Sequence, residues 1–338
     1  MSKSHEASES SDMSKSHGTV GSRDMNRSHD MSGPHGEAGP RAVRRVAVLT
    51  NPAAGAGHAG PAAGRAVARL RSLGLDVEEH AGSSAEDAVR LAREAAAGGV
   101  DAVAVVGGDG MINLALQALA GTAVPLGVVP AGTGNDHARA YGLPLDAPEA
   151  AADVIAAGRT RTVDLGRVTG PDGAVRWFGS ILATGFDSLV SDRTNRLRWP
   201  RGRMRYNLAI LIEFANLRPL PFRITLAGGT VIERDLTLAA VGNTRSYGGG
   251  MLMCPDALPD DGLLDVTLVD AMPRLRIARF FPTLFKGTHT TRPEVTTLRA
   301  ESLRIESPGI TAYADGEFIA SLPVEVTVRK DALHLLVP

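Results

Sequence analysis

VDAVAVVGGDGMINLALQALA (100–120) decides the fold. An unbroken apolar run leads into Gly107-Gly108-Asp109-Gly110, and a helix-like pattern begins on the far side. Such a run reads as a strand buried on both faces, and the glycines let backbone N–H groups approach an anion unhindered by Cβ atoms. The same order recurs in VPLGVVPAGTGNDHARAYG (124–142), with a second glycine turn at Pro130–Asp136. Upstream, RRVAVLTNP (44–52) runs into a third turn, Asn51-Pro52-Ala53-Ala54-Gly55-Ala56-Gly57. Between them lie a helix pattern (61–74), the strand-like LDVEEHA (75–81) and a second helix (85–99) opened by Glu86 and Asp87 and closed by Gly98-Gly99. This β-α-β-α-β rhythm predicts an α/β N-terminal domain, a Rossmann-like parallel sheet with helices on both faces. Its ligand belongs at the C-terminal ends of the strands, where all three turns lie. One GGDG is a weak signal, since structural turns use the same residues; three glycine turns around one crevice are not easily coincidental.

The rest of the composition narrows the class. With 338 residues the chain can hold two domains, and 43% apolar and 22% charged residues describe a globular protein. A net charge of −1 gives no global attraction to nucleic acid, and none is expected as a partner. Cys254 is the only cysteine, which excludes an intrachain disulfide and a thiolate-rich zinc site. The longest greasy stretch, LAILIEFANL (208–217), is short and carries Glu213, so no membrane span is expected. A cytoplasmic protein is the expectation, with any lipid met from the water side. A homodimer is compatible with this reading.

Residues 1–40 form a polar tail in which MSKSH (1–5 and 13–17), MNRSH (25–29) and MSGPH (31–35) recur, and disorder is expected there. Residues 41–162 make the nucleotide-binding domain. From 163 to 338 the pattern changes to short β-rich runs with turns between them, which predicts an antiparallel, sandwich-like domain interrupted by helices near 203–217 and 272–286. The last strand is a candidate to return to the first domain.

VVGGDGMIN, PLGVVPAGTGNDHARAYGLP and NPAAGAG resemble the three nucleotide-binding stretches of the diacylglycerol kinase catalytic family, which includes bacterial lipid kinases and sphingosine and ceramide kinases. Asn243, Tyr247-Gly248-Gly249-Gly250-Met251, CPDALPDDGLLDV (254–266) and Asp315-Gly316-Glu317 follow in the order of the bacterial branch. The resemblance spans about residue 44 to 338. It implies a kinase that moves the γ-phosphate of ATP to the hydroxyl of a neutral lipid, with Mg²⁺, at a membrane surface. In that frame Asn51, Gly55, Gly107, Gly108, Gly110, Met111, Ile112, Asn113, Leu114, Thr133, Asn135 and Asp136 contact ATP. Asn113, Asn135 and Asp136 read equally well as helix-terminus residues. Asp109, repelled by phosphate unless a cation intervenes, is implied to act through Mg²⁺ or its water shell, or else only shapes its turn. Glu317 is implied to be the proton acceptor, although xDGx alone is an ordinary hairpin. Asp261, with the carbonyls of Leu258 and Leu263, is implied to hold a structural magnesium; the bland reading is a Pro-Asp-Asp-Gly turn with no ion.

Three positions depart from the family pattern: Ala56 stands for a Lys, Met111 for a Thr and Leu114 for a Glu. His58 and Arg65 are candidates to replace the missing cation, and Ser83 and Ser84 for a hydroxyl before the second helix. These losses also leave open a nucleotide-binding regulator without catalysis, as well as a kinase for a sphingoid base or NAD. RTNRLRWPRGRMR (193–205) packs six arginines and Trp199 into 13 residues and reads as a membrane-docking segment, a solvated loop or a phosphate contact. RLRIARFFPTLFK (274–286) is a second amphipathic candidate, unless its aromatics are core.

Overall fold

The computed structural model describes residues 37–38, 41–51, 59–197, 199 and 203–338. The repeats of the N-terminal tail and the turn at 52–58 lie outside the described residues. The first half runs β1 (Glu37–Ala38), β2 (Arg45–Thr50), α1 (Ala59–Ser72), β3 (Asp76–Ala81), α2 (Ala85–Ala97), β4 (Ala102–Gly107), α3 (Asp109–Leu119), β5 (Leu126–Pro130), α4 (Asp136–Ala140) and α5 (Pro148–Ala157). Strands β3, β2, β4 and β5 pair in that order, all parallel. The apolar runs of β2, β4 and β5 follow from burial on both faces, whereas the edge strand β3 (DVEEHA) buries only Val77. Alternate residues divide the work: Ala47, Leu49, Val103 and Val105 face α2 and α3, while Val46, Val48, Ala102 and Ala104 face α1 and α5.

The helix boundaries have local causes. Ser84 caps α2 by accepting from Asp87 N, and the Asp87 carboxylate accepts in return from Ser83 N and Oγ, both at 2.9 Å. The two serines therefore serve a cap. Gly158, at φ 67, ends α5 in the left-handed region that glycine adopts without strain.

The second half comprises β6 (Thr160–Thr169), β7 (Val175–Phe178), β8 (Ile181–Gly185), α6 (Phe186–Arg196), α7 (Arg203–Ala215), β9 (Leu220–Leu226), β10 (Val231–Gly242), β11 (Leu264–Asp270), α8 (Arg274–Leu284), β12 (Val295–Ala300), β13 (Ser302–Glu306), β14 (Thr311–Ala314), β15 (Glu317–Ser321) and β16 (Val324–Leu336). Its pairings are antiparallel, with β8, β9 and β11 all on β10, and β14 bridging β8 to β15. Helix α6 escapes a sequence reading because FDSLVSDRTNR buries only Phe186, Ser188 and Val190 and shows little apolar period.

β16 ties the halves. It runs antiparallel to β6 over most of its length and meets β5 in parallel at Leu335–Leu126. Val163, Leu165, Leu333 and Leu335 of this ribbon enter the first core, whereas Val168, Val324 and Val326 enter the second. Phe178 is fully buried in that second core, its ring lying against Gly166 where no Cβ would fit. Phe178→Ala is expected to cost about 3–5 kcal/mol in denaturant unfolding, because neighbouring strands cannot collapse into the space. A loss below about 1 kcal/mol would show that this core is loosely packed.

Candidate active site

Strand order reverses between β2 and β4, and the glycine turns stand at the carboxyl ends of β4 and β5 beside that reversal. The two turns pack main chain on main chain. Ala131 N donates to Gly107 O at 2.9 Å, and a Cβ on Gly108 would stand 3.0 Å from Gly132 Cα. Asn135 shapes the second turn rather than capping α4: its amide both accepts from Gly132 N and donates to Gly132 O, at 3.0 and 2.9 Å. Asn135 itself sits at φ 52, a left-handed conformation its short polar side chain tolerates.

Three buried or half-buried carboxylates converge on this point from distant parts of the chain. Asp136 accepts from Gly249 N and Gly250 N at 2.7 and 2.8 Å, which fastens the glycine loop of the second half to the start of α4. Asp109, the first residue of α3, accepts from His137 N and lies 3.1 Å from the ring Nδ1. Asp315, at φ 53 in its turn, accepts from Gly179 N, Ser180 N, Ser180 Oγ and Asn113 Nδ2. His137 Nε2 stands 3.7 Å from Asp315 Oδ1, so one imidazole faces two carboxylates. Burial pulls the His137 pKa down, but Asp315 and Asp109 outweigh it and raise it above the ordinary histidine value. Burial likewise pushes Asp109 up, and the His137 ring and main chain overcome this and hold it below the ordinary carboxylate range. Each shift favours the charged form of its group.

Glu317 opens β15 two residues after Asp315. A Cβ on Gly110 would stand 2.9 Å from Glu317 Oε1, so the carboxylate lies directly over the first glycine turn. Its pKa is raised, by loss of solvent first and by Asp315 second.

The remaining expected residues divide by placement. Thr133 is exposed on the second turn and Asn51 half-buried at the end of β2. Met111 and Ile112 are buried and Leu114 packs against the same core, while the Asn113 amide is turned inward to Asp315 and Trp177 O. These four side chains are therefore engaged within the protein, and Met111 N and Ile112 N donate to Gly108 O. Gly55, Ala56 and His58 lie outside the described residues. Arg65 does not replace the missing cation: its guanidinium grips Glu149 with two bonds of 2.5 and 2.6 Å. His137 was missed by sequence reasoning. Nothing local marks it, because its partners are 28 and 178 positions away.

At the loop expected to hold a magnesium, Asp261 is the only side chain of the ligand set, since Leu258 and Leu263 would offer main-chain carbonyls. Asp261 Oδ1 accepts from Leu263 N at 3.0 Å and its Oδ2 is paired with Arg299, which also reaches Asp265. Leu258 is exposed. Arg299 thus neutralises the carboxylate that a magnesium would share, and a metal held here by Asp261 and the two carbonyls stays a proposal. Among the described residues no group of three or more His, Cys, Asp or Glu is placed to hold one. The loop is anchored by Asp164, which accepts from Gly262 N and Asp331 N at 2.7 and 2.9 Å. EDTA, without nucleotide, is expected to leave the melting temperature unchanged; a drop of several degrees would show that a metal holds the loop.

Comparison with known proteins places this geometry. Residues 45–168 match the diacylglycerol kinase catalytic domain, and residues 180–337 match the YegS C-terminal NAD kinase beta sandwich-like domain. A diacylglycerol kinase of Mycobacterium tuberculosis (strain ATCC 25618 / H37Rv) is 54% identical over 296 residues, covering 88% of this chain and 96% of the relative. One from Bacillus subtilis (strain 168) is 28% identical over 300 residues, with 88% and 97% covered. A crystal structure of a diacylglycerol kinase from Bacillus anthracis str. Sterne shares the fold, with a TM-score of 0.67 at 21% identity over 88% of this chain and 98% of that one. With both domain matches in sequence and near-complete coverage at high identity, the chain belongs to the diacylglycerol kinase family of lipid kinases.

Proposed function

We propose that this kinase transfers the γ-phosphoryl group of MgATP to the free hydroxyl of diacylglycerol, giving phosphatidic acid and ADP. The observation that carries the reading is the Glu317 carboxylate lying over Gly110, where the proposed proton acceptor meets the proposed phosphate cradle. In this reading the hydroxyl oxygen attacks the γ-phosphorus, the bond to the β-bridging oxygen breaks, and the hydroxyl proton passes to Glu317. The glycine turns position the phosphates through main-chain N–H groups at the start of α3, where the helix dipole also favours negative charge. Magnesium carried by the nucleotide draws charge from the β and γ oxygens, and the ionised Asp109 beside both turns is the residue that suits it or its water shell.

The acceptor sits in a bilayer, and among the described residues no helix is long and apolar enough to cross one. The reading therefore has the enzyme working at the cytoplasmic membrane face. Trp199, 78% exposed at the end of α6, suits a peripheral contact there. Arg193 is partly withdrawn by its ion pair with Glu213, and Arg198 and Arg201 lie outside the described residues.

The reading is tested with radiolabelled ATP and Mg²⁺ against diacylglycerol, sphingosine and NAD in parallel. Label in phosphatidic acid is expected. Label in no product alongside measurable ATP binding would point to a regulator instead. Glu317→Gln is expected to lower kcat about 10²–10⁴-fold with KM for ATP little changed. A base must be ionised, and the Glu317 pKa is raised, so the wild-type rate should climb with pH through a limb above the ordinary glutamate value of 4.5. A limb at or below that value would remove Glu317 from the role. Gly132→Ala drives a Cβ into the Gly108 main chain, so the two turns must part: KM for ATP should rise about tenfold or more, and the melting temperature should fall as well.

A further inference from the structure

Helix α8 is two-faced, and its solvent face is the less ordinary one. Ile277, Phe280 and Leu284 are buried in the core with Met253 and Met272, and the Phe280 ring meets His289 edge-on at 5.9 Å. On the far side Leu275, Phe281 and Phe285 are 66%, 37% and 50% exposed. The Phe281 and Phe285 rings lie one turn apart, edge to face with centroids 6.0 Å from each other, so water meets a continuous aromatic surface. At 100° per residue, Leu275, Ala278, Phe281, Pro282 and Phe285 share the outer arc, with Arg274, Arg279 and Lys286 along it. Arg276 is turned aside to Glu294. An exposed apolar strip edged with cations is the pattern of a helix that lies in a lipid headgroup layer. The helix has 11 residues, too few to span one.

The helix is also wired to the catalytic region. Arg274 bonds Ala215 O at the end of α7, the helix that follows the arginine-rich segment. At the other end Leu284 O accepts from Leu252 N at 2.9 Å. Leu252 lies two residues beyond the Gly249-Gly250 pair held by Asp136 at the second glycine turn.

We propose that α8 docks the enzyme on an anionic bilayer, with Phe281 and Phe285 inserted among the acyl chains and Arg279 and Lys286 set against lipid phosphates. This rests on the lipid-kinase reading and adds the surface through which the substrate is reached. Charge complementarity selects the bilayer over a second copy of the chain: two copies of this strip would bring like charges together.

The full-length protein is sedimented with phosphatidylcholine vesicles, with and without phosphatidylglycerol. Binding to the anionic vesicles is expected, and its absence overturns the proposal. Phe281→Ser/Phe285→Ser should weaken that binding about tenfold or more. Arg279→Gln/Lys286→Gln should abolish the preference for anionic over neutral vesicles, since that preference is electrostatic. Either pair binding like wild type overturns the assignment, as does a change from dimer to monomer on gel filtration in the Phe pair, which would make the face a contact between copies. In parallel, the Phe pair should keep its kcat toward a short-chain diacylglycerol dispersed in non-ionic detergent. Wild-type protein that binds vesicles yet phosphorylates no lipid would refute the kinase reading and leave the docking face standing.

Discussion

A buried carboxylate holds the two halves of the site together. Asp315 takes four hydrogen bonds, from Gly179 N, Ser180 N and Oγ, and Asn113 Nδ2, and faces the ring of His137. Burying an unpartnered carboxylate costs several kcal/mol, so the arrangement exists only when all donors arrive together. Asn113 comes from α3, His137 from α4, and Ser180 from the turn before β8. The carboxylate therefore measures whether the α/β half and the β-rich half are correctly docked, and Glu317 follows two residues later in the same turn. The proposed base is placed by a polar knot and not by apolar packing, which would leave more freedom in its aim.

The glycine turns impose the complementary constraint. Their main chains touch, so the crevice floor has a fixed width, and Asn135 and Asp136 brace it from within and from the second half. Met111 and Leu114, which depart from the pattern that the resemblance implies, both join the core below the turn. At the Asp261 loop the chain brings a cation of its own, Arg299, to the carboxylate.

The parallel sheet was legible because β2, β4 and β5 are apolar runs, each leading into a glycine-containing turn, with helix patterns between them. The density of short β runs foretold the second half in kind but not in pairing, since strand partners such as β8 and β14 are separated by long stretches of chain and no local pattern encodes their match. Helix α6 was missed for want of an apolar period. The glycine turns, Asp109 and Glu317 could be named from motifs. His137 could not, because its meaning comes from two acids brought to it by folding. The amphipathic stretch at 274–286 showed both faces in sequence; only the structure separated Phe280, which is core, from Phe281 and Phe285, which meet solvent.

The ribbon of β6 and β16 carries a consequence for how the molecule is made. β16 lies far downstream of the parallel strands, yet Leu333 and Leu335 complete the core beneath that sheet. Until β16 pairs with it, β5 presents an open, apolar edge, and contacts this far apart in sequence form slowly. The first core is therefore complete only once β16 has been made and has paired with β5.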